Sequence, residues 1–374
     1  MEHQEIKDLL SELKHHADRV NQLKCFIGFD GYVDQIIRIV KERSSLTDYA
    51  LFQKIEHFST FLQENTGKSA GLEIISTESK LGGNAPIMAN SLARQGVQTI
   101  CVGTLGEPDI HAVFADLTHV CTTVSVGTPA ATYAFEFQDG KIMFGDVASL
   151  NQMDWKMLKH KVGLDSIIQY CVDSQLISIV NWSGIFNINT ILNGFLEDVF
   201  PQIVKQDLAK KLLFFDIADP STRTEADLLI FIDMLQRFSQ QTKVILGLNE
   251  KEMRIVFERL GLKSDSSNVM EMTEQIYNRL NISVLVVHAA LQVVGVNCSG
   301  TIKVDSFYIA DPKISTGAGD NFNGGFCLGQ MLELSLKHSL ILGNAVSSYY
   351  ISHGYSPNLS QLIDYLEKLC NPVV

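Results

Sequence analysis

The sequence lacks a CxxC pair, has no run near the ~20 apolar residues of a membrane span, and carries few charged residues. Its seven cysteines are an odd number in mostly apolar contexts, so we expect reduced thiols in a cytoplasmic protein. The N-terminal segment is charged and lacks the apolar centre of a secretion signal. A net charge of −12 without a dense Lys/Arg face argues against a nucleic-acid partner.

What the chain does contain is enough apolar sequence for a large core, since 46% of its 374 residues are hydrophobic. Uncharged, β-rich runs alternate with helix-like segments, a pattern typical of a parallel sheet covered by helices on both faces. We therefore predict a single α/β domain over residues 1–374, built on a doubly wound, mostly parallel sheet. The strands of its second half are predicted at 176–180, 212–217, 244–248 and 283–287.

The N-terminal third departs from this alternation. Residues 32–40 are rich in β-formers, and residues 132–137 and 141–144 flank an Asp139-Gly140 pair that favours a hairpin turn. We expect segments at about 32–40 and 128–146 to form a small β excursion from the main sheet. Residues 48–66 are predicted to form an amphipathic helix.

The most informative stretch is the turn from Ser315 to Asp320, which leads into a helix predicted from Phe322. Gly317, Ala318 and Gly319 can expose backbone N–H groups at the positive end of that helix, which makes an anion hole. Asp320 adds a carboxylate beside the anion and suggests a base for phosphoryl transfer to a hydroxyl. The simpler interpretation is that Asp320 only caps the helix. The glycines at 324 and 325 are expected to permit close helix packing.

Two further groups of residues suit a polyol. Gly82, Gly83 and Asn84 precede a helix, where they either shape its start or offer N–H groups and an amide to sugar hydroxyls. Asp30 and Asp34 follow the first strand and are either turn residues or acceptors of hydroxyl hydrogen bonds. Of these two, Asp34 is slightly favoured.

A last group suits a nucleotide. Asn249 and Glu252 open a helix after a buried strand, and they either cap it or approach water-coordinated Mg²⁺ and phosphate. Arg223 lies either at the surface or within reach of a phosphate. Thr316 and Asn344 are further candidates for nucleotide contacts.

Three of these strings together resemble the ribokinase-like (PfkB) carbohydrate kinase family. Residues 316–320 are similar to its C-terminal signature, residues 82–85 followed by 92–96 to its N-terminal one, and residues 249–252 to its Asn-x-x-Glu element. They stand in family order between about residues 25 and 366.

The resemblance implies an α/β core with a small β lid, for which the hairpin at 132–144 is the best candidate. It also implies ATP-dependent phosphorylation of a hydroxymethyl group on a small sugar, with Asp320 as the base and residues 317–319 as the anion hole. Asn249 and Glu252 would steer Mg²⁺ through water. A homodimer formed through the lid is compatible with the family.

Two departures from the family pattern keep alternatives open. Ile87, preceded by Pro86, stands where many members carry a second asparagine after the Gly-Gly-Asn, and His288-Ala289-Ala290 replaces the usual Thr/Lys-x-Gly. An ADP-dependent sugar kinase, a nucleoside kinase and a catalytically idle sugar- or nucleotide-binding relative therefore remain alternatives. Aromatic residues in the pocket, such as Phe29, Tyr32 or Phe135, would favour the nucleoside kinase.

Overall fold

The protein is described by a computed structural model that covers residues 3–264, 268–307 and 309–370. The strands are β1 (Lys24–Phe29), β2 (Tyr32–Arg43), β3 (Tyr49–Leu51), β4 (Ile74–Gly82), β5 (Gln98–Gly103), β6 (Thr122–Ser125), β7 (Ala130–Phe137), β8 (Gly140–Asp146), β9 (Leu176–Ile179), β10 (Leu212–Asp216), β11 (Lys243–Asn249), β12 (Val284–His288), β13 (Gln292–Asn297) and β14 (Gly300–Asp305).

The α-helices are α1 (His3–His15), α2 (Ala17–Val20), α3 (Ile55–Glu64), α4 (Asn84–Arg94), α5 (Ala115–Val120), α6 (Ala148–Asn151), α7 (Trp155–Lys161), α8 (Leu164–Asp173), α9 (Ile188–Gly194), α10 (Lys205–Leu208), α11 (Glu225–Ser239), α12 (Glu250–Arg259), α13 (Val269–Leu280), α14 (Ala318–Met331), α15 (Leu336–His353) and α16 (Leu359–Cys370).

Nine strands form the main sheet, in the order β14-β13-β12-β11-β10-β9-β1-β5-β6. The strands from β12 to β6 pair in parallel, and β13 and β14 add an antiparallel edge. β9 and β10 are buried along their whole length, since helices cover both faces of the sheet. Each face packs into its own apolar cluster. The predicted doubly wound, mostly parallel sheet is confirmed.

The β excursion is a second, five-stranded sheet, in which β2 pairs with β7 in parallel and with β3 and β4 in antiparallel. β8 pairs with β7 as the predicted hairpin. The helix predicted over 48–66 was wrong at its start, because Tyr49–Leu51 form a strand and the helix begins only at Ile55. β4 was missed because it is mostly polar and exposed, which hides the alternation of a half-buried strand. That residues 1–374 form one domain, with this small sheet as its lid, stays a prediction.

The two helices after the glycine turn approach each other closely. α14 begins at Ala318, four residues before the predicted start. A Cβ added at Gly324 would lie 2.7 Å from Ser91 Oγ, and one at Gly325 would lie 2.7 Å from Val346 Cγ2 and 2.9 Å from the Leu342 carbonyl oxygen. The expected role of this glycine pair in close packing is therefore confirmed.

Within the described ranges, no helix combines the length and the apolar character needed to cross a bilayer. All seven cysteines are free thiols, and only Cys298 is exposed. The cytoplasmic location stays a prediction.

We expect Gly325→Ala to destabilise the fold by about 1–3 kcal/mol, because the added methyl group overpacks the contact between α14 and α15. Helix propensity alone would give the opposite sign, a gain of about 1 kcal/mol. Urea unfolding measures the difference. Gly71→Ala is the control, since a Cβ there meets no heavy atom within 4 Å. Equal stability of Gly325→Ala and the parent protein would contradict the close packing.

Candidate active site

Polar side chains collect where the parallel strands of the main sheet end. Asp30 follows β1, Asn181 lies just beyond β9, and Asp216, Asn249 and His288 are the last residues of β10, β11 and β12. Because these strands run the same way, their carboxyl ends share one edge of the sheet. Ligands of open α/β sheets bind at this edge.

Two helices start at the same edge and bring their own polar residues. Asn84, at the first position of α4, donates from Nδ2 to Asp320 Oδ1 at 2.9 Å and lies 3.5 Å from Asp216 Oδ1. Asn323 in α14 donates from Nδ2 to Asp216 Oδ2 at 2.9 Å. Residues far apart in the sequence therefore form one buried carboxylate–amide network.

The glycine turn separates two cavities. The first cavity, of about 320 Å³, is lined by Gly317 and Asp320 together with Asp34, Asn84 and Thr132, among others. The second cavity, of about 440 Å³, is lined by Ala318 and Gly319 together with Asn249, His288 and Asn344, among others. The turn thus presents its carboxylate to one cavity and its amides to the other.

The backbone of the turn requires its glycines. Gly317 has a φ of 85°, in the left-handed region, and a Cβ there would lie 3.0 Å from Tyr350 Oη. A Cβ at Gly319 would lie 2.9 Å from the His288 ring. The N–H groups of Gly319 and Asp320 make no backbone hydrogen bond to any described residue. These two amides can donate to an anion at the positive end of α14, whereas the Ala318 N–H donates to the Ser315 carbonyl oxygen at 3.2 Å. That residues 317–319 form an anion hole stays a prediction.

Asp320 lies deep in the network, and its environment alters its acidity. Burial raises the pKa of this carboxyl well above its ordinary value, and the charges of Asp216 and Asp30 raise it further, while the hydrogen bond from Asn84 lowers it. Burial likewise raises the pKa of Asp216. A carboxylate with a raised pKa is a stronger base than a solvated aspartate.

Asp30 is part of the scaffold, which corrects its candidacy for contacting a sugar. Its two oxygens accept hydrogen bonds from the N–H groups of Asn84 (2.9 Å) and Ala85 (2.7 Å) and from Asn181 Nδ2 (2.7 Å). It is fully buried and is not among the residues that line either cavity. Burial, as the largest cause, raises its pKa to about 6. Asp30 therefore holds the start of α4.

Asp34 stands where a ligand can meet it. It lines the first cavity, and burial raises its pKa, although a hydrogen bond from Thr132 and the charge of Lys80 act in the opposite direction. Gly82 lies directly against it, because a Cβ at that glycine would be 2.4 Å from Asp34 Cγ. Gly83 has a φ of 97° and also lines the cavity.

Asn249 and Glu252 cap α12 reciprocally. Asn249 Oδ1 accepts from the Glu252 N–H at 2.9 Å, and Glu252 Oε2 accepts from the Asn249 N–H at 2.8 Å. Asn249 lines the second cavity, while Glu252 is buried behind it. Burial and the charge of Asp216 raise the pKa of Glu252. The capping interpretation therefore describes the arrangement that is present.

Arg223 does not reach either cavity, which corrects its candidacy for a phosphate contact. Its guanidinium donates to the carbonyl oxygens of Trp182, Ile185 and Phe186 and lies 4.8 Å from the centre of the Trp182 ring. Arg223 thus supports the loop after β9.

Thr316 was a candidate for nucleotide contacts. It lines the first cavity and not the second, where the amides of the turn lie.

Sequence reasoning assigned no role to Asn181, Asp216 or Asn323. The first two were visible as polar residues at strand ends, but nothing in the sequence indicates that Asn181 donates to Asp30 or that Asp216 accepts from Asn323. His288, which begins the departure from the family pattern at 288–290, lies at the floor of the second cavity beneath Gly319. Burial lowers its pKa to about 4, so its ring is neutral.

Comparisons with known proteins agree with this architecture. The sequence model of the family described as prokaryotic ketohexokinase matches residues 4–369. A ketohexokinase of Haloferax volcanii is 26% identical over 347 residues, which cover 92% of this chain and 91% of that protein.

Solved structures give the same fold. Arabidopsis thaliana ribokinase, complexed with ribose and ATP, superimposes with a TM-score of 0.65 at 13% identity, over 92% of this chain and 98% of that one. The adenosine kinase of Sinorhizobium meliloti gives a TM-score of 0.61 at 15% identity, over 93% and 99% of the two chains. At such identities the likeness shows the fold alone. The protein has the ribokinase fold, and by the match over residues 4–369 it belongs to the prokaryotic ketohexokinase family.

Proposed function

We propose that this protein is an ATP-dependent sugar kinase that phosphorylates a hydroxymethyl group of a ketohexose, with Asp320 as the base. The observation that carries the proposal is the position of the turn between two cavities. Asp320 faces the first cavity, whereas Ala318 and Gly319 face the second. An acceptor in the first cavity and a donor in the second would meet at this turn.

The first cavity favours a sugar over a nucleoside. Asp34, Asn84 and Thr132 offer carboxylate, amide and hydroxyl groups that suit a polyol. Of the three aromatic residues that would favour a nucleoside, only Tyr32 lines this cavity, and Phe29 is fully buried in the core. The ketohexose is proposed from the similarity to a ketohexokinase.

The transfer step follows from this placement. The sugar hydroxyl loses its proton to the Asp320 carboxylate as its oxygen forms a bond to the γ-phosphorus of ATP. The bond from that phosphorus to the β–γ bridging oxygen breaks, and ADP leaves with the electron pair. The free N–H groups at Gly319 and Asp320 would stabilise the charge on the transferring group. One such donor is worth roughly 3–4 kcal/mol in comparable sites.

The residues on the nucleotide side fit a bound Mg²⁺. The described residues contain no cluster of three or more side chains that could hold a metal by themselves. Mg²⁺ needs fewer protein ligands than that, because it keeps several waters and binds phosphate oxygens. The charge of Asp216 raises the pKa of Glu252. A nearby cation would lower the free-energy cost of keeping both carboxylates ionised. We propose that Asn249 and Glu252 hold it through water, where it would neutralise phosphate charge.

The small sheet is proposed to act as a lid. Asp34 from β2, Thr132 from β7 and Met143 from β8 all line the first cavity. Movement of this sheet toward α14 would exclude water from the acceptor hydroxyl and limit hydrolysis of ATP.

We expect the protein to turn over a ketohexose with ATP and Asp320→Asn to abolish that turnover, while nucleotide affinity stays within a few-fold. The loss follows because an amide cannot accept the proton, and positioned bases contribute roughly 10²- to 10⁴-fold. A coupled assay that distinguishes ADP from AMP release, run with ketohexoses and nucleosides, measures turnover and donor use.

Near-normal turnover by Asp320→Asn would remove Asp320 as the base. Faster phosphorylation of nucleosides would overturn the sugar assignment, and AMP release would make ADP the donor. If the protein binds a sugar but turns it over with neither ATP nor ADP, the result would support the alternative of a catalytically idle relative.

We expect kcat/KM to fall at low pH, since Asp320 must be ionised to accept a proton and its pKa is raised. Asn84→Ala removes the hydrogen bond that lowers this pKa, so the acidic limb of the profile should move to higher pH. Asp34→Asn is the control, because it should weaken sugar binding without moving the limb. If the acidic limb of the kcat/KM profile stays at the same pH in Asn84→Ala, a group other than Asp320 determines the pH dependence.

We expect Asp216→Asn to raise the melting temperature of the ligand-free protein at pH 8. The folded pKa of Asp216 is raised above the ordinary 3.8, so its ionisation costs stability as the pH rises through the folded pKa. The gain should shrink as the pH falls toward 3.8. A gain that is independent of pH would contradict a buried, ionised Asp216.

A further inference from the structure

Three consecutive carbonyl groups of the glycine turn accept hydrogen bonds from side chains. Tyr350 Oη donates to the Thr316 carbonyl oxygen at 3.0 Å. Asn321 Nδ2 donates to the Gly317 carbonyl oxygen at 2.9 Å. Ser347 Oγ donates to the Ala318 carbonyl oxygen at 2.9 Å. These donors come from α14 and α15 and not from a ligand.

The Asn321 amide is itself held in place. Its Oδ1 accepts a hydrogen bond from Ser356 Oγ at 2.7 Å, and Asn90 Nδ2 in α4 donates to that hydroxyl at 3.3 Å. Asn321 and Ser356 are almost fully buried, so water does not compete for these bonds. The chain of bonds links the turn to the helix that carries Asn84.

The bonds to the carbonyl groups fix the direction of the amide donors. In a planar trans peptide, the C=O of one residue and the N–H of the next point in opposite directions. The bond from Ser347 to the Ala318 carbonyl therefore adds to the helical geometry of α14 in fixing the direction of the Gly319 N–H. That N–H has no backbone partner, and Gly319 lines the second cavity. Rotation of this peptide would turn the donor away from a phosphoryl group.

We propose that Tyr350, Asn321 and Ser347 are positioning residues for phosphoryl transfer, which fix the turn so that its amides face the transferring group. The inference rests on the proposed function and names the groups that prepare its anion hole. None of the three is assigned to touch the reacting atoms. Burial and the nearby Asp320 and Asp34 raise the pKa of Tyr350, so its hydroxyl remains a donor at neutral pH.

Tyr350→Phe and Ser347→Ala each remove one hydrogen bond with little change of shape. We expect kcat to fall by about 10-fold in each, less than the ~100- to 1,000-fold loss of a whole oxyanion donor. The sugar KM should stay within about two-fold, because the sugar meets Asp34 and Asn84 instead. Melting temperatures should remain near that of the parent protein.

The matched controls are Tyr349→Phe and Ser352→Ala in the same helix. The Tyr349 hydroxyl bonds the Tyr355 hydroxyl at 3.2 Å, and the Ser352 hydroxyl bonds the Ser348 carbonyl oxygen at 2.8 Å. Neither contacts the turn, so both variants should keep the parent kcat.

A second readout does not depend on turnover. ADP with aluminium fluoride imitates the transferring phosphoryl group, and calorimetry can compare its affinity with that of ADP alone. Tyr350→Phe should weaken the fluoride complex about 10-fold and leave ADP binding unchanged, since a transition-state contact is lost. Ser347 also lines the second cavity, so Ser347→Ala should weaken the fluoride complex about 10-fold more than it weakens ADP binding.

The outcomes separate this inference from the proposed function. If the parent protein phosphorylates no sugar with either nucleotide, the proposed function fails. If the parent protein is active but the two variants match their controls in kcat and in fluoride binding, the positioning role is overturned. A fall in kcat that only follows a loss of folded protein would also overturn it.

Discussion

The structure depends on the burial of several carboxylates at the edge where the strands of the main sheet end. Asp30, Asp216 and Asp320 lie close enough for their charges to raise the pKa of Asp320. Such burial is costly unless hydrogen bonds and dipoles compensate it. The starts of α4 and α14 and the amides of Asn84 and Asn323 provide this compensation. The free-energy cost of burying these carboxylates would be lowered by the cation and the substrate that we propose to bind here.

Separate sets of contacts hold the two sides of the glycine turn beside these buried carboxylates. Asp30 uses both oxygens to hold α4, which places Asn84 against Asp320. On the other side of the turn, side chains of α14 and α15 hold the carbonyl groups. The close approach of those helices depends on Gly325 and its contact with Val346. The proposed base and the proposed anion hole are thus fixed by separate sets of contacts on one short segment.

The fold could be predicted from the sequence where the signal is local, and Asp34, Asn84 and Asp320, chosen from their motifs, line one cavity. Apolar strands such as β9 and β10 and the glycines at 317 and 319 carry their conformations in a few residues. The polar strand β4 could not be found this way, because it is mostly exposed and lacks the alternation of a half-buried strand. Arg223 and Asp30 were misjudged for a similar reason. Both are charged residues at strand or loop ends, and only the tertiary packing decides whether such a residue meets a ligand or the backbone.

The most direct test of the account is a crystal structure with a ketohexose and a non-hydrolysable ATP analogue. We expect the sugar in the first cavity, with a hydroxymethyl oxygen about 2.6–3.2 Å from an Asp320 oxygen. We also expect the γ-phosphate in the second cavity, on the Gly319 N–H. A sugar whose hydroxymethyl group points away from Asp320, or a triphosphate that does not approach the turn, would contradict it.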